Sequence, residues 1–214
     1  MFITLFLSIL NAQVKKPVNS TYYDQKKSIF ELLPDTENEI VFLGNSITDG
    51  CEWSELFQNA RIKNRGISGD QTAGVYARLD EVIASHPSKI FIMIGVNDLA
   101  ARVSVDSIMH NYNKIVHKIR SSSPGTRIFI QSILPVHSAY VRFKNHTSKT
   151  DQILFLNKRL QELCNNLNIV YIDLHSRFKT IENQIDEKFT NDGLHLTGEG
   201  YLLWKSIIEK HVCD

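Results

Sequence analysis

The residues best suited to covalent chemistry are a serine, a histidine and an aspartate in two short glycine-containing stretches. Ser46 sits in Gly44-Asn45-Ser46-Ile47-Thr48, directly after the apolar run Ile40-Val41-Phe42-Leu43. His195 sits in Asp192-Gly193-Leu194-His195-Leu196, with Asp192 three residues ahead of it. Hydrolysis by a serine needs a base that removes the hydroxyl proton and returns it to the leaving group. His195 suits that task, and Asp192 could accept a hydrogen bond from the imidazole, fix its tautomer and stabilise the imidazolium. A tetrahedral intermediate also needs preorganised donors. Gly69, in Gly66-Ile67-Ser68-Gly69-Asp70, can bring its N–H close to a reacting oxygen because no Cβ intervenes. Asn97, in Gly95-Val96-Asn97-Asp98, offers a side-chain amide, and the Ser46 N–H is a third donor. Each stretch also has a plain structural reading as a turn, a cap or a strand end. The remaining seven histidines, His86, His110, His117, His137, His146, His175 and His211, make histidine alone uninformative.

The elements that must position these residues alternate. Strands are predicted at Ile40–Leu43, Arg61–Asn64, Lys89–Ile94, Arg127–Leu134 and Ile169–Leu174. Helices are predicted around 24–33, then at Cys51–Gln58, Thr72–Ala84 with Thr72 as N-cap, Ser104–Arg120, Asp151–Asn165 and Thr197–His211. The run Ile90-Phe91-Ile92-Met93-Ile94 has the continuous apolar character of a strand buried on both faces. Strands separated by helices need crossover connections and form a mainly parallel sheet. The fold class is α/β, a single domain with helices on both faces of the sheet. In such sheets the site lies beyond the carboxyl ends of the strands. Ser46, Gly69 and Asn97 each follow a predicted strand and can share that rim.

Together the four stretches resemble, in order, the blocks of the SGNH/GDSL hydrolase family, over about residues 39–211. The resemblance implies Ser46 as nucleophile, His195 as base and Asp192 as its orienting acid, with an oxyanion hole from Ser46, Gly69 and Asn97. It implies a three-layer α/β/α sandwich, flavodoxin-like, around a parallel five-stranded sheet of order 2-1-3-4-5. No metal or organic cofactor is implied. Asn45 stands where the family has the aspartate of the GDSL name, and Val96 where threonine is common. The glycine block and the Leu-His-Leu-Thr-Gly ending are most similar to the branch holding platelet-activating-factor acetylhydrolase catalytic subunits and bacterial carbohydrate acetylesterases.

A near balance of 24 basic and 23 acidic residues gives no electrostatic case for nucleic acid or an anionic membrane surface. Three widely spaced cysteines, Cys51, Cys164 and Cys213, suit neither a disulfide framework nor a zinc site and are read as buried free thiols. Residues 1–12 have the apolar core of a signal peptide, too short to span a bilayer, with Ala12 as a small residue at the cleavage point; no Lys or Arg precedes it. The organisation expected is a signal peptide over 1–12, a lead-in over 13–38 and the hydrolase domain over 39–214, in a periplasmic or secreted protein without stable membrane insertion. Asp49, Asp70 and Asp98 are read as helix-start and local hydrogen-bonding residues rather than a metal site. His137 and His175 are read as surface loop histidines, with a place in the cleft as the alternative, and Trp53 and Trp204 as packing residues. The expected activity is removal of a short acyl group, foremost acetyl, from a carbohydrate ester, with a polar 175–191 segment facing the site. The alternatives are a lysophospholipase, thioesterase or platelet-activating-factor-type acetylhydrolase. More distant ones are a non-catalytic carbohydrate-binding relative and a metal-dependent phosphohydrolase.

Overall fold

The runs Ile40–Gly44 and Lys89–Met93 carry only buried residues, and this dictates a sheet covered on both faces at its centre. The computed structural model describes residues 20–214; the expected signal peptide and the first part of the lead-in lie outside them. The strands are β1 (Ile40–Gly44), β2 (Ile62–Gly66), β3 (Lys89–Met93), β4 (Arg127–Gln131) and β5 (Val170–Ile172). All neighbours pair in parallel, in the order β2-β1-β3-β4-β5. That is the single-domain α/β sandwich and strand order expected. The helices in chain order are α1 (Ser20–Phe30), α2 (Ser46–Asp49), α3 (Trp53–Leu56), α4 (Thr72–Ala77), α5 (Leu79–Ala84) and α6 (Val96–Ala100). They continue with α7 (Val105–Ser122), α8 (Lys144–Thr147), α9 (Thr150–Leu167), α10 (His175–Phe178) and α11 (Gly198–Cys213). No helix among the described residues is long and apolar enough to cross a membrane.

Register places Phe42, Phe91 and Phe129 side by side on β1, β3 and β4. Their rings stack at 5.1 and 4.5 Å between centroids. Trp53 stacks on Phe42 at 4.4 Å, and Trp204 of α11 meets Trp53 edge-on at 4.8 Å while its Nε1 donates to Gln131. Both tryptophans are therefore packing residues. They anchor α11, which follows the His195 stretch, to the sheet. The helices α4, α5, α7 and α9 form a packed group of their own.

Several local expectations change. The helix expected over Thr72–Ala84 breaks at Arg78, where φ −108° and ψ 11° end α4 and start α5. Thr72 is not an N-cap. It is the first residue of α4, and its hydroxyl and N–H both bond the Asp98 carboxylate, 26 residues away. The helix expected over Cys51–Gln58 shrinks to the single turn α3, and a separate short helix, α2, starts at Ser46 itself. Strands β4 and β5 stop short of Leu134 and Leu174, and the lead-in helix lies at Ser20–Phe30 rather than 24–33. All three cysteines are free, but Cys213 is exposed. His175 is buried instead of lying on the surface, and among the described residues its Nε2 has no partner.

Candidate active site

The site forms where β1, β2 and β3 end. After β1 the chain turns at once into α2, with Ser46 as its first residue. Asn45 occupies the N-cap and its Oδ1 accepts the Ile47 N–H at 3.0 Å. Asparagine at this position therefore keeps the capping function that an aspartate oxygen would serve. We expect Asn45→Ala to cost about 0.5–2 kcal/mol in a urea unfolding experiment, and Asn45→Asp to cost less. Tyr201 of α11 and the indole of Trp53 pin the same turn by donating to the Ile47 and Thr48 carbonyls.

Ser46 Oγ lies 2.9 Å from His195 Nε2, across 149 residues of sequence. His195 Nδ1 lies 2.7 Å from Asp192 Oδ2. The other Asp192 oxygen accepts the backbone N–H groups of Leu194 and His195 at 2.9 and 2.8 Å. A carboxylate only accepts, so Nδ1 must carry the imidazole proton, and Nε2 presents its lone pair to the serine hydroxyl. Burial acts to raise the Asp192 pKa, but the two backbone N–H groups and the imidazole outweigh it, and the net shift is downward. Asp192 thus stays ionised beside His195. The histidine is 30% exposed and Asp192 13%, so the pair is shielded but reachable. Phe143 lies edge-on to the imidazole at 5.0 Å.

The residues expected to supply donors around Ser46 line one cavity with it. Gly69 has φ +82°, a left-handed conformation that glycine adopts without strain. At Gly66 a Cβ would come within 2.2 Å of the Asp49 N, so only glycine lets β2 pass this close to the end of α2. Among the described residues, the N–H groups of Ser46 and Gly69 have no acceptor in the chain. Asn97, only 9% exposed, donates from Nδ2 to the Asp70 carbonyl at 2.8 Å. Ser46, Gly69, Asn97 and His195 line one cavity of about 500 Å³. Its apolar wall is Ala100, Ala101, Phe143 and Leu194, and its polar wall adds Ser68, Gln71, Asn145 and His146. No residue from 175–191 is among those lining it, which corrects the expectation for that segment. His137 also stays outside it, edge-on to Tyr140. His146, by contrast, enters the cavity and bonds Asn97 Oδ1; nothing local in the sequence singled it out from the other histidines.

The three aspartates that follow the blocks have separate partners. Asp49 accepts from Ser68 and Tyr22 and pairs with Lys26 of α1. Asp70 pairs with Arg78 at 2.9 Å, both fully buried. Asp98 holds Thr72; burial pushes its carboxyl up to about 6 although the Thr72 bonds oppose the shift. Among the described residues, no three metal-ligating side chains gather in one place.

Residues 42–203 match the model of the GDSL-like Lipase/Acylhydrolase family. The chain is 27% identical over 173 residues to platelet-activating factor acetylhydrolase IB subunit alpha2 of Rattus norvegicus, covering 78% of this chain and 72% of that protein. It is 25% identical over 193 residues to N-acylneuraminate cytidylyltransferase of Streptococcus agalactiae, a match to 90% of this chain and 42% of that protein. A solved structure from Streptococcus pneumonia that carries the platelet activating factor name superimposes with a TM-score of 0.83 at 26% identity, over 89% of this chain and 92% of that one. The family model spans well over half of the 214 residues, and the chain belongs to the GDSL-like lipase/acylhydrolase family of ester hydrolases.

Proposed function

We propose that the protein is a serine esterase that removes a short acyl group, foremost acetyl, from a hydroxylated substrate of carbohydrate type. The hydrogen-bonded series Ser46–His195–Asp192, at 2.9 and 2.7 Å, carries this reading. Ser46 Oγ attacks the ester carbonyl while His195 Nε2 takes its proton. The carbonyl oxygen, now negative, is met by the N–H groups of Ser46 and Gly69 and the amide of Asn97. His195 returns the proton to the departing alcohol, leaving the acyl group on Ser46. A water then gives its proton to His195 and attacks the acyl carbonyl, and the acid leaves as Ser46 regains its proton.

The polar wall of Ser68, Gln71 and Asn145 favours an alcohol rich in hydroxyl groups, which can exchange hydrogen bonds with water for bonds to these side chains. The similarity to a protein named for N-acylneuraminate points the same way. The relatives named for platelet-activating factor favour a second reading, an acetyl ester on a lipid. A p-nitrophenyl ester series from acetyl to octanoyl, followed by acetylated sugars and sialic acids with a lysophospholipid as comparator, separates the two. We expect kcat/KM to be highest for acetyl and to fall at least about tenfold by octanoyl, the size of one to two methylenes' mismatch in a closed pocket. A maximum at octanoyl, or preference for the lysophospholipid, overturns the short-acyl carbohydrate reading.

A further inference from the structure

Asn97 is gripped at both ends of its amide. Nδ2 donates to the Asp70 carbonyl at 2.8 Å, and Oδ1 meets His146 Nε2 at 3.0 Å. A primary amide has donors only on nitrogen and lone pairs only on oxygen. The Asp70 carbonyl accepts and cannot donate, so the amide nitrogen must face it and the oxygen must face His146. His146 Nε2 therefore carries the ring proton and donates it. One N–H of Nδ2 goes to Asp70, which leaves the other for an acceptor in the cavity that Asn97 shares with Ser46 and Gly69.

We propose that His146 is a positioning residue that acts through Asn97, locking the amide so that its remaining N–H faces the oxyanion. This rests on the assignment of Asn97 to the oxyanion hole. The terminal torsion of asparagine is broad and two-fold, so an amide held at one end only can swing. A donor stabilises a developing oxyanion in proportion to its preorganisation, and a swinging amide must be reordered in each turnover. His146 lies in α8, within the connection from β4 to α9. Phe143 at the start of this turn packs on His195, and Thr147 at its end donates to the Tyr140 carbonyl at 3.0 Å. The same connection reaches the loop before His195, where the His137 N–H donates to the Gly193 carbonyl at 2.9 Å. One segment thus braces both the imidazole and the oxyanion donor. Burial first, and then the charge His195 acquires, lower the His146 pKa. His146 thus remains a neutral donor while His195 is protonated.

A double-mutant cycle on the full chain tests this, with kcat and KM measured on p-nitrophenyl acetate. Asn97→Ala should lower kcat on the order of 10²–10³-fold, as for loss of an oxyanion donor. His146→Ala should lower kcat about tenfold, a fraction of that loss, with KM changed less than about twofold. The double variant should be no slower than Asn97→Ala alone, because His146 has nothing left to position. His146→Gln, which supplies an amide N–H in place of the imidazole one, should recover most of the lost kcat. Losses that multiply in the double variant overturn the proposal. So does a rise in KM alone for His146→Ala, which would make His146 a substrate contact. If both His146 variants fail to fold, the residue is structural and the proposal also falls. Wild-type kcat in Asn97→Ala would instead remove the oxyanion assignment itself, and the inference with it.

Discussion

Ser46→Ala should leave a folded protein whose hydrolysis of p-nitrophenyl acetate is reduced on the order of 10⁴–10⁶-fold. The size follows from the absence of any substitute nucleophile in the hydrogen-bonded series. His195 Nε2 faces only the serine oxygen, and Ser68, the other hydroxyl lining the cavity, is bonded to Asp49. The fold should be indifferent to the change. The Ser46 side chain caps nothing, since the Asn45 side chain caps α2, and its carbonyl still accepts the Gly50 N–H. His195→Ala should lose activity to a similar extent, and the double variant should lose little more, because the two residues act as one unit. Circular dichroism and a thermal melt check the fold alongside the rate. Activity within tenfold of wild type in well-folded Ser46→Ala would end the serine mechanism.

The second large effect is on stability. Arg78→Met should destabilise the protein by about 3–5 kcal/mol in urea unfolding, the typical cost of breaking a buried ion pair by removing one partner. Arg78 Nε donates to Asp70 Oδ2 at 2.9 Å, and Nη2 donates to the Arg65 carbonyl at 2.8 Å and the Gly44 carbonyl at 3.3 Å. One guanidinium therefore joins the ends of β1 and β2 to Asp70, whose own carbonyl holds Asn97. Burial raises the Asp70 pKa above 3.8, and Arg78 is the main opposing influence. Without Arg78 the pKa rises further. A carboxyl with a raised folded-state pKa holds its proton better folded than unfolded. Its contribution to stability is complete below the unfolded pKa and is lost as pH rises through the folded one. The deficit of Arg78→Met should therefore be larger at about pH 8 than at about pH 5. Asp70→Asn in the Arg78→Met background should recover part of it, most at the higher pH. A loss below about 1 kcal/mol, the scale of an exposed pair, would show that Arg78 carries no such burden.

The two predictions draw on different sources. Ser46, His195 and Asp192 stood out as candidates because each lies in a short glycine-containing stretch, Ser46 directly after β1 and the other two in the loop that leads into α11. The α/β class was legible for the same reason, since apolar periodicity and length distinguish strands from helices residue by residue. The strand order 2-1-3-4-5 came from the resemblance to a family rather than from any pattern along the chain.

What only the tertiary structure decided lies at long sequence separation. The break at Arg78 has no local cause, because Thr72–Ala84 reads as one amphipathic helix. The chain bends there with the guanidinium held at the ends of β1 and β2, where Asp70 and two strand-end carbonyls bond it. Thr72 looked like a cap because its type suits one, yet Asp98 claims both its N–H and its hydroxyl. The polar wall of the cavity was expected from residues 175–191 and instead comes in part from Asn145 and His146. His146 was one histidine among eight, and only folding brings it 3.0 Å from Asn97. Local periodicity encodes which residues form an element and which face is buried. Which distant side chain completes a buried hydrogen bond is set by how the elements pack, and no pattern along the chain records it.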